Sequence, residues 1–133
     1  MSYVAGMDAW FTIESEPGND LIRLTLGGFF TSGDVDRLGL AMADAVRALG
    51  CRPNDHLTLC DITAMNIQSQ DVVAHFGALV GRPDLRSRRL AFVTGATLAR
   101  PQARRLADRP GVMFFSERDA ASSWLLSDRA QAA

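Results

Sequence analysis

The chain has 133 residues, 47% of them hydrophobic and 22% charged, with a formal net charge of −1. Disordered chains are poorer in apolar residues and membrane chains carry long uncharged runs, so this composition predicts one globular domain over 1–133, long enough to build a core without disulfides or a structural metal. All 14 basic residues are Arg and Lys is absent, which excludes a pyridoxal Schiff base, a lysine nucleophile and a Walker A phosphate loop.

Residues 10–15 and 21–26 read as strands: Ile22, Leu24 and Leu26 alternate with Arg23 and Thr25, and Pro17-Gly18-Asn19-Asp20 between the runs predicts a hairpin. After Gly27-Gly28 the period changes. Val35, Leu38, Met42, Val46 and Leu49 recur at helical spacing, with Asp34, Asp36, Arg37, Asp44 and Arg47 on the other side. Thr31 with Asp34 forms a capping-box pattern, and Gly50 is placed to end the helix. A third strand covers 57–62. Ser69 can cap a second helix that buries Val72, Val73, Phe76, Leu79 and Val80 and stops at Gly81 before Pro83. The unbroken apolar run Leu90-Ala91-Phe92-Val93 predicts a strand buried on both faces. A short helix is expected from about Thr97, with Pro101 in its first turn and Leu106 facing inward. Val112 to Phe115 forms the last strand, and Ser116 and Asp119 open a terminal helix with Ala120, Ala121, Trp124 and Leu125 as its buried stripe. The order β-β-α-β-α-β-α-β-α implies an α/β fold with five strands, mostly parallel, four helices, and the first strand as an antiparallel edge.

Cys60 lies in an apolar run and reads as a small buried hydrophobe, and Cys51 is its only companion. No leader-like pattern opens the chain and no run is long enough to span a bilayer, so a cytoplasmic location is expected. The near-neutral total hides a segregation. Residues 1–81 carry −6, residues 82–109 carry +6 and residues 110–133 carry −1. Such asymmetry suits an anionic partner, a self-complementary oligomer, or a fold whose halves face each other.

The element order, the Gly28-Phe29-Phe30-Thr31 entry into the first helix, the Asp61-Ile62-Thr63 strand end and the tail from Val112-Met113-Phe114-Phe115-Ser116 to Ala120-Ala121-Ser122-Ser123-Trp124-Leu125 resemble the SpoIIAA-like (STAS/SEC14-type) domain family over about residues 10–127. The resemblance implies a STAS-like fold without enzymatic activity or cofactor. In anti-sigma factor antagonists of this fold a serine in an Asp-Ser-Ser-Gly motif opens the second helix and is phosphorylated. Counted from Asp61, that position is Gln70 here, and the preceding acid is Ser69, so the chain departs from the switch motif. The SpoIIAA-like branch implies instead a binder of nonpolar ligands.

Ligands of parallel sheets favour the crevice beyond the strands' carboxyl ends. The loops there carry Phe29, Phe30, Asp61, Thr63, Asn66, Thr94, Thr97 and Ser116. Asp61 ends an apolar strand and needs partners if buried, with Thr63 and Ser69 in reach; an acid that organises its own loop is favoured over a catalytic one, because no base and nucleophile pair is recognisable. Ser69 is read as a helix cap before a phosphate acceptor. No metal-ligand spacing joins His56, Cys60, Cys51 and His75. Arg100 and Arg104, within the basic stretch, are candidates for an anionic ligand or partner; nucleic acid is disfavoured by a pI near 6.1 and aromatics placed in apolar strands. The binding residues expected are therefore Phe29, Phe30, Asp61, Thr63, Ser69, Thr94, Arg100 and Arg104. The expected function is a non-enzymatic STAS-like regulatory domain working through a protein partner or as a homodimer, and the alternative is a carrier of a nonpolar small molecule between helices and sheet.

Overall fold

A computed structural model describes residues 8–66, 68–94 and 110–132, with side chains of the last helix through Ser127. The expected helix from Thr97, together with Arg100 and Arg104, lies outside the described residues.

Five strands form one mixed sheet in the order β1-β2-β3-β4-β5. β1 (Trp10–Glu16) and β2 (Leu21–Gly28) make the predicted antiparallel hairpin, joined by a 3-10 turn at Pro17–Asn19 whose exit places Asp20 in the left-handed region at φ 50°. β3 (Leu57–Met65), β4 (Arg89–Val93) and β5 (Val112–Phe115) continue in parallel. Three strands run past their predicted ends, β1 by the single residue Glu16. β2 does not stop at Gly27, because the ring of Trp10 from β1 lies over that residue: a Cβ there would stand 2.3 Å from the Trp10 Cε2. β3 reaches Met65 because Gly27 and Gly28 pair with Ala64 and Met65, whereas β4 ends opposite Asp61. Pairing with a neighbour, absent from the chain's local pattern, sets the length.

α1 (Ser32–Leu49) starts with the predicted capping box, in which the Thr31 side chain accepts from the Asp34 N–H at 3.2 Å and the Asp34 carboxylate accepts from the Thr31 N–H at 2.8 Å. It ends at Gly50, left-handed at φ 69°. α2 (Gln70–Val80) is capped by Ser69, whose hydroxyl accepts from the Val72 N–H at 3.2 Å. Right-handed crossovers that step along a sheet in one direction put their helices on one face, and α1 and α2 both cover the face carrying Ile22, Leu24, Leu26, Cys60, Ile62, Leu90 and Phe92. α3 (Arg118–Ala132) closes the opposite face over Leu21, Leu57, Leu59, Ala91 and Val93. Alternation along β4 thus feeds two cores, as its unbroken apolar run predicts. Of the expected stripe on α3, Ala121 and Leu125 are fully buried and Trp124 half-buried, but Ala120 is exposed. Ala120 lies about 100° around the helix from the buried Ala121, past the edge of the stripe that faces the sheet. Arg89 fastens this helix: its guanidinium lies 4.6 Å from the centroid of the Trp124 ring and its Nη1 donates to the Trp124 carbonyl at 2.8 Å. Among the described residues no helix is long and apolar enough to cross a membrane.

Candidate functional site

The carboxyl ends of β2 to β5 present the loops singled out by the sequence. Two of them are tied together by a residue that sequence reasoning missed. Gln68 is buried, its Oε1 accepts from the Phe30 N–H at 2.8 Å, and its Nε2 donates to the carbonyls of Gly28, at 2.9 Å, and Asn66. The Asn66 N–H adds a bond to the Gly28 carbonyl at 3.2 Å. One amide therefore ties backbone groups of the two loops together, and the Phe30 N–H would otherwise be buried without a partner. Only the position next to a helix cap sets Gln68 apart in the sequence, and that does not predict a bridge to residues about forty positions away.

This brace separates the two phenylalanines. Phe30 turns inward and meets the Phe76 ring edge-on at a centroid distance of 5.2 Å, so it belongs to the core. Phe29 points out and is 43% exposed. A large apolar side chain held in the open by a braced loop is a candidate contact for a partner.

On the other face, Asp61 is 8% exposed. Its Oδ1 accepts from the Thr63 N–H at 2.9 Å and from the Thr63 hydroxyl at 2.6 Å, and its Oδ2 lies 3.5 Å from the Nη1 of Arg118 at the start of α3. The predicted loop-organising role is the one this geometry supplies, with Thr63 as partner. Ser69 does not bond Asp61; its hydroxyl accepts from the Val72 N–H at the α2 cap. Arg118 escaped the sequence reading because only the packing of α3 across the sheet brings it to the β3 end. Next to Asp61, burial, with a smaller contribution from the Asp61 charge, pushes the Cys60 thiol up to about 12, which removes it as a nucleophile. Thr94 follows β4 and is 1% exposed; its N–H donates to the Phe115 carbonyl at 2.9 Å, while its hydroxyl has no partner among the described residues.

Phe29, Asp61, Thr63 and Ser69 therefore share one end of the sheet, Asp61 and Thr63 on β3 itself and Phe29 and Ser69 on the adjoining loops, whereas Phe30 supports that end from within the core. The space between α1, α2 and the sheet, where a nonpolar ligand would lie, is an apolar cavity of about 40 Å³ lined among others by Leu26, Met42, Ile62, Phe76 and Phe92.

A mixed sheet with one antiparallel edge, two crossover helices on one face and a terminal helix on the other defines a SpoIIAA-like α/β fold. No family model matches the chain, and no curated protein matches it. Among solved structures it is similar to an uncharacterised DUF3478-family protein with a SpoIIAA-like fold from Shewanella loihica PV-4, at 22% identity and a TM-score of 0.70, over 94% of this chain and 98% of that one. It is also similar to an anti-sigma factor antagonist from Mycobacterium paratuberculosis, at 12% identity and a TM-score of 0.60, over 92% of this chain and 98% of the other. At these identities the likeness is one of fold.

Proposed function

We propose that the protein is a non-enzymatic regulatory domain that binds a protein partner through the carboxyl end of its sheet. The observation that carries this reading is Phe29, 43% exposed on a loop whose backbone is held in place by Gln68. The polar groups around it serve the scaffold: Asp61 is occupied by Thr63 and Arg118, and Ser69 by the α2 backbone. Thr63 donates both its hydroxyl and its N–H to the same Asp61 oxygen two positions away, a local side-chain-to-backbone pattern that organises the strand end. The solved anti-sigma factor antagonist with this fold supports a regulatory reading by analogy of fold. A cytoplasmic location accords with it.

The carrier reading has an apolar cavity in its favour, but about 40 Å³ is far below the roughly 300 Å³ at which small-molecule pockets begin. A lipid-sized ligand would require α1 and α2 to separate from the sheet.

The test is a photo-crosslinking amino acid placed at Phe29 in the native cell, with the same probe at Asn54, at the opposite end of the sheet, as control. A discrete adduct with one protein at position 29 only is the expected result. Equal labelling at both positions refutes partner binding at this end, and a lipid retained in native mass spectrometry of gently purified protein would favour the carrier instead.

A further inference from the structure

α1 presents a second surface that the strand-end reading does not use. Its outward stripe runs Gly33, Arg37, Leu40, Asp44, Arg47, at spacings of four, three, four and three, the seam spacing of paired helices. At its centre Leu40 is 70% exposed, the most exposed of the large hydrophobic side chains described. Beside it, between α1 and α2, lies a groove of about 360 Å³ with Val35, Gly39, Ala78 and Leu79 among its lining and Asp36, His75 and Arg82 at its rim. Gly39 lets Leu79 of α2 approach α1 closely beside the groove: a Cβ there would meet the Leu79 Cδ1 at 3.0 Å and the Arg82 Nη1 at 3.6 Å.

The charges on the stripe are self-complementary. Two copies of α1 laid antiparallel about a two-fold axis between Leu40 and Ala41 place each residue opposite the one whose number completes a constant sum. Arg37 then faces the partner's Asp44, a contact that occurs twice by symmetry. No like charges of the stripe meet in this register, whereas moving the axis onto Leu40 itself would oppose Asp36 to the partner's Asp44. Within one copy the same residues already form the Asp34–Arg37 and Asp44–Arg47 pairs, the latter at 2.9 Å. Packing would therefore join two exposed pairs into a four-charge cluster on each side of an apolar centre.

We infer that α1 is a homodimer interface, in which Leu40 of each copy packs over Ala41 of the other, beside its groove, and the Arg37 to Asp44 contacts set the antiparallel register. The contact is one helix and a groove rim, so association in the micromolar range is expected.

Sedimentation velocity of the full chain from about 1 to about 300 µM tests this. The wild type should pass from monomer to dimer within that range, Leu40→Asp should weaken the dimer at least about tenfold with an unchanged thermal melt of the monomer, and Arg37→Asp should weaken it through repulsion by the partner's Asp44. The double exchange Arg37→Asp with Asp44→Arg restores opposite charges across the axis and should return the dissociation constant to within about threefold of wild type. A wild type that stays monomeric throughout, a dimer indifferent to Leu40→Asp, or a double exchange as weak as the single would each overturn the proposal. None of these outcomes bears on the Phe29 surface, which lies on a different element.

Discussion

His56 makes the stability of this fold sensitive to acid. The residue is fully buried at the start of β3, beneath the 82–88 loop, and neither ring nitrogen has a hydrogen-bond partner among the described residues. Burial holds its pKa below the ordinary imidazole value of 6.5, against the weaker opposing pull of the Leu85 backbone and the Asp20 and Asp55 carboxylates. The sign follows from linkage. A histidine whose folded value lies below its unfolded one binds its proton more readily in the unfolded chain, so its contribution is steady above the unfolded value and stability is lost as pH falls from there toward the folded value. In that window the loss is about 1.4 kcal/mol per pH unit, and between about pH 7.5 and 5.5 it amounts to at most about 1.4 kcal/mol. Urea unfolding of wild type and His56→Leu at both pH values isolates the effect, because His75 and the carboxylates are common to the two proteins. The leucine variant should be nearly neutral at the higher pH, since an unpartnered buried polar group is replaced by an apolar one of similar size. It should gain on wild type as the pH drops. Parallel stability curves for the two proteins would refute the reasoning.

Gln68→Ala removes the brace between the β2–α1 and β3–α2 loops and leaves the Phe30 N–H without its partner; a loss of about 2 kcal/mol in urea unfolding is expected, with faster hydrogen exchange at the Phe30 amide. Gly27→Ala must displace the Trp10 ring, so Trp10 fluorescence should shift to the red and stability fall by about 1–2 kcal/mol; an unchanged spectrum would show that the ring does not rest on Gly27. With a thiol pushed up to about 12 and a fully buried position, Cys60 should resist iodoacetamide under native conditions, whereas the half-buried Cys51 should be modified first, as read by peptide mass spectrometry.

Local chemistry alone determined much of this protein. The helical spacing of α1 and α2, the capping box at Thr31 and Asp34, the Ser69 cap and the glycine at position 50 each involve residues within four positions of one another, and the strands announce themselves by alternation or by the double-sided run at Leu90 to Val93. The antiparallel first strand followed from element order and crossover rules. What depended on distant parts of the chain was decided only by the tertiary structure. The extra length of β3 comes from Gly27 and Gly28 on β2, the charged partner of the Asp61 carboxylate is Arg118 from the last helix, and one amide at Gln68 braces the loop on which Phe29 points outward and Phe30 inward. Packing likewise turns Gly39 and Leu40, unremarked in the sequence pattern, into a groove and the hydrophobic side chain beside it. Helices and caps are written in spacings of three and four; which side chains meet across a sheet depends on register and layer, which no local window contains.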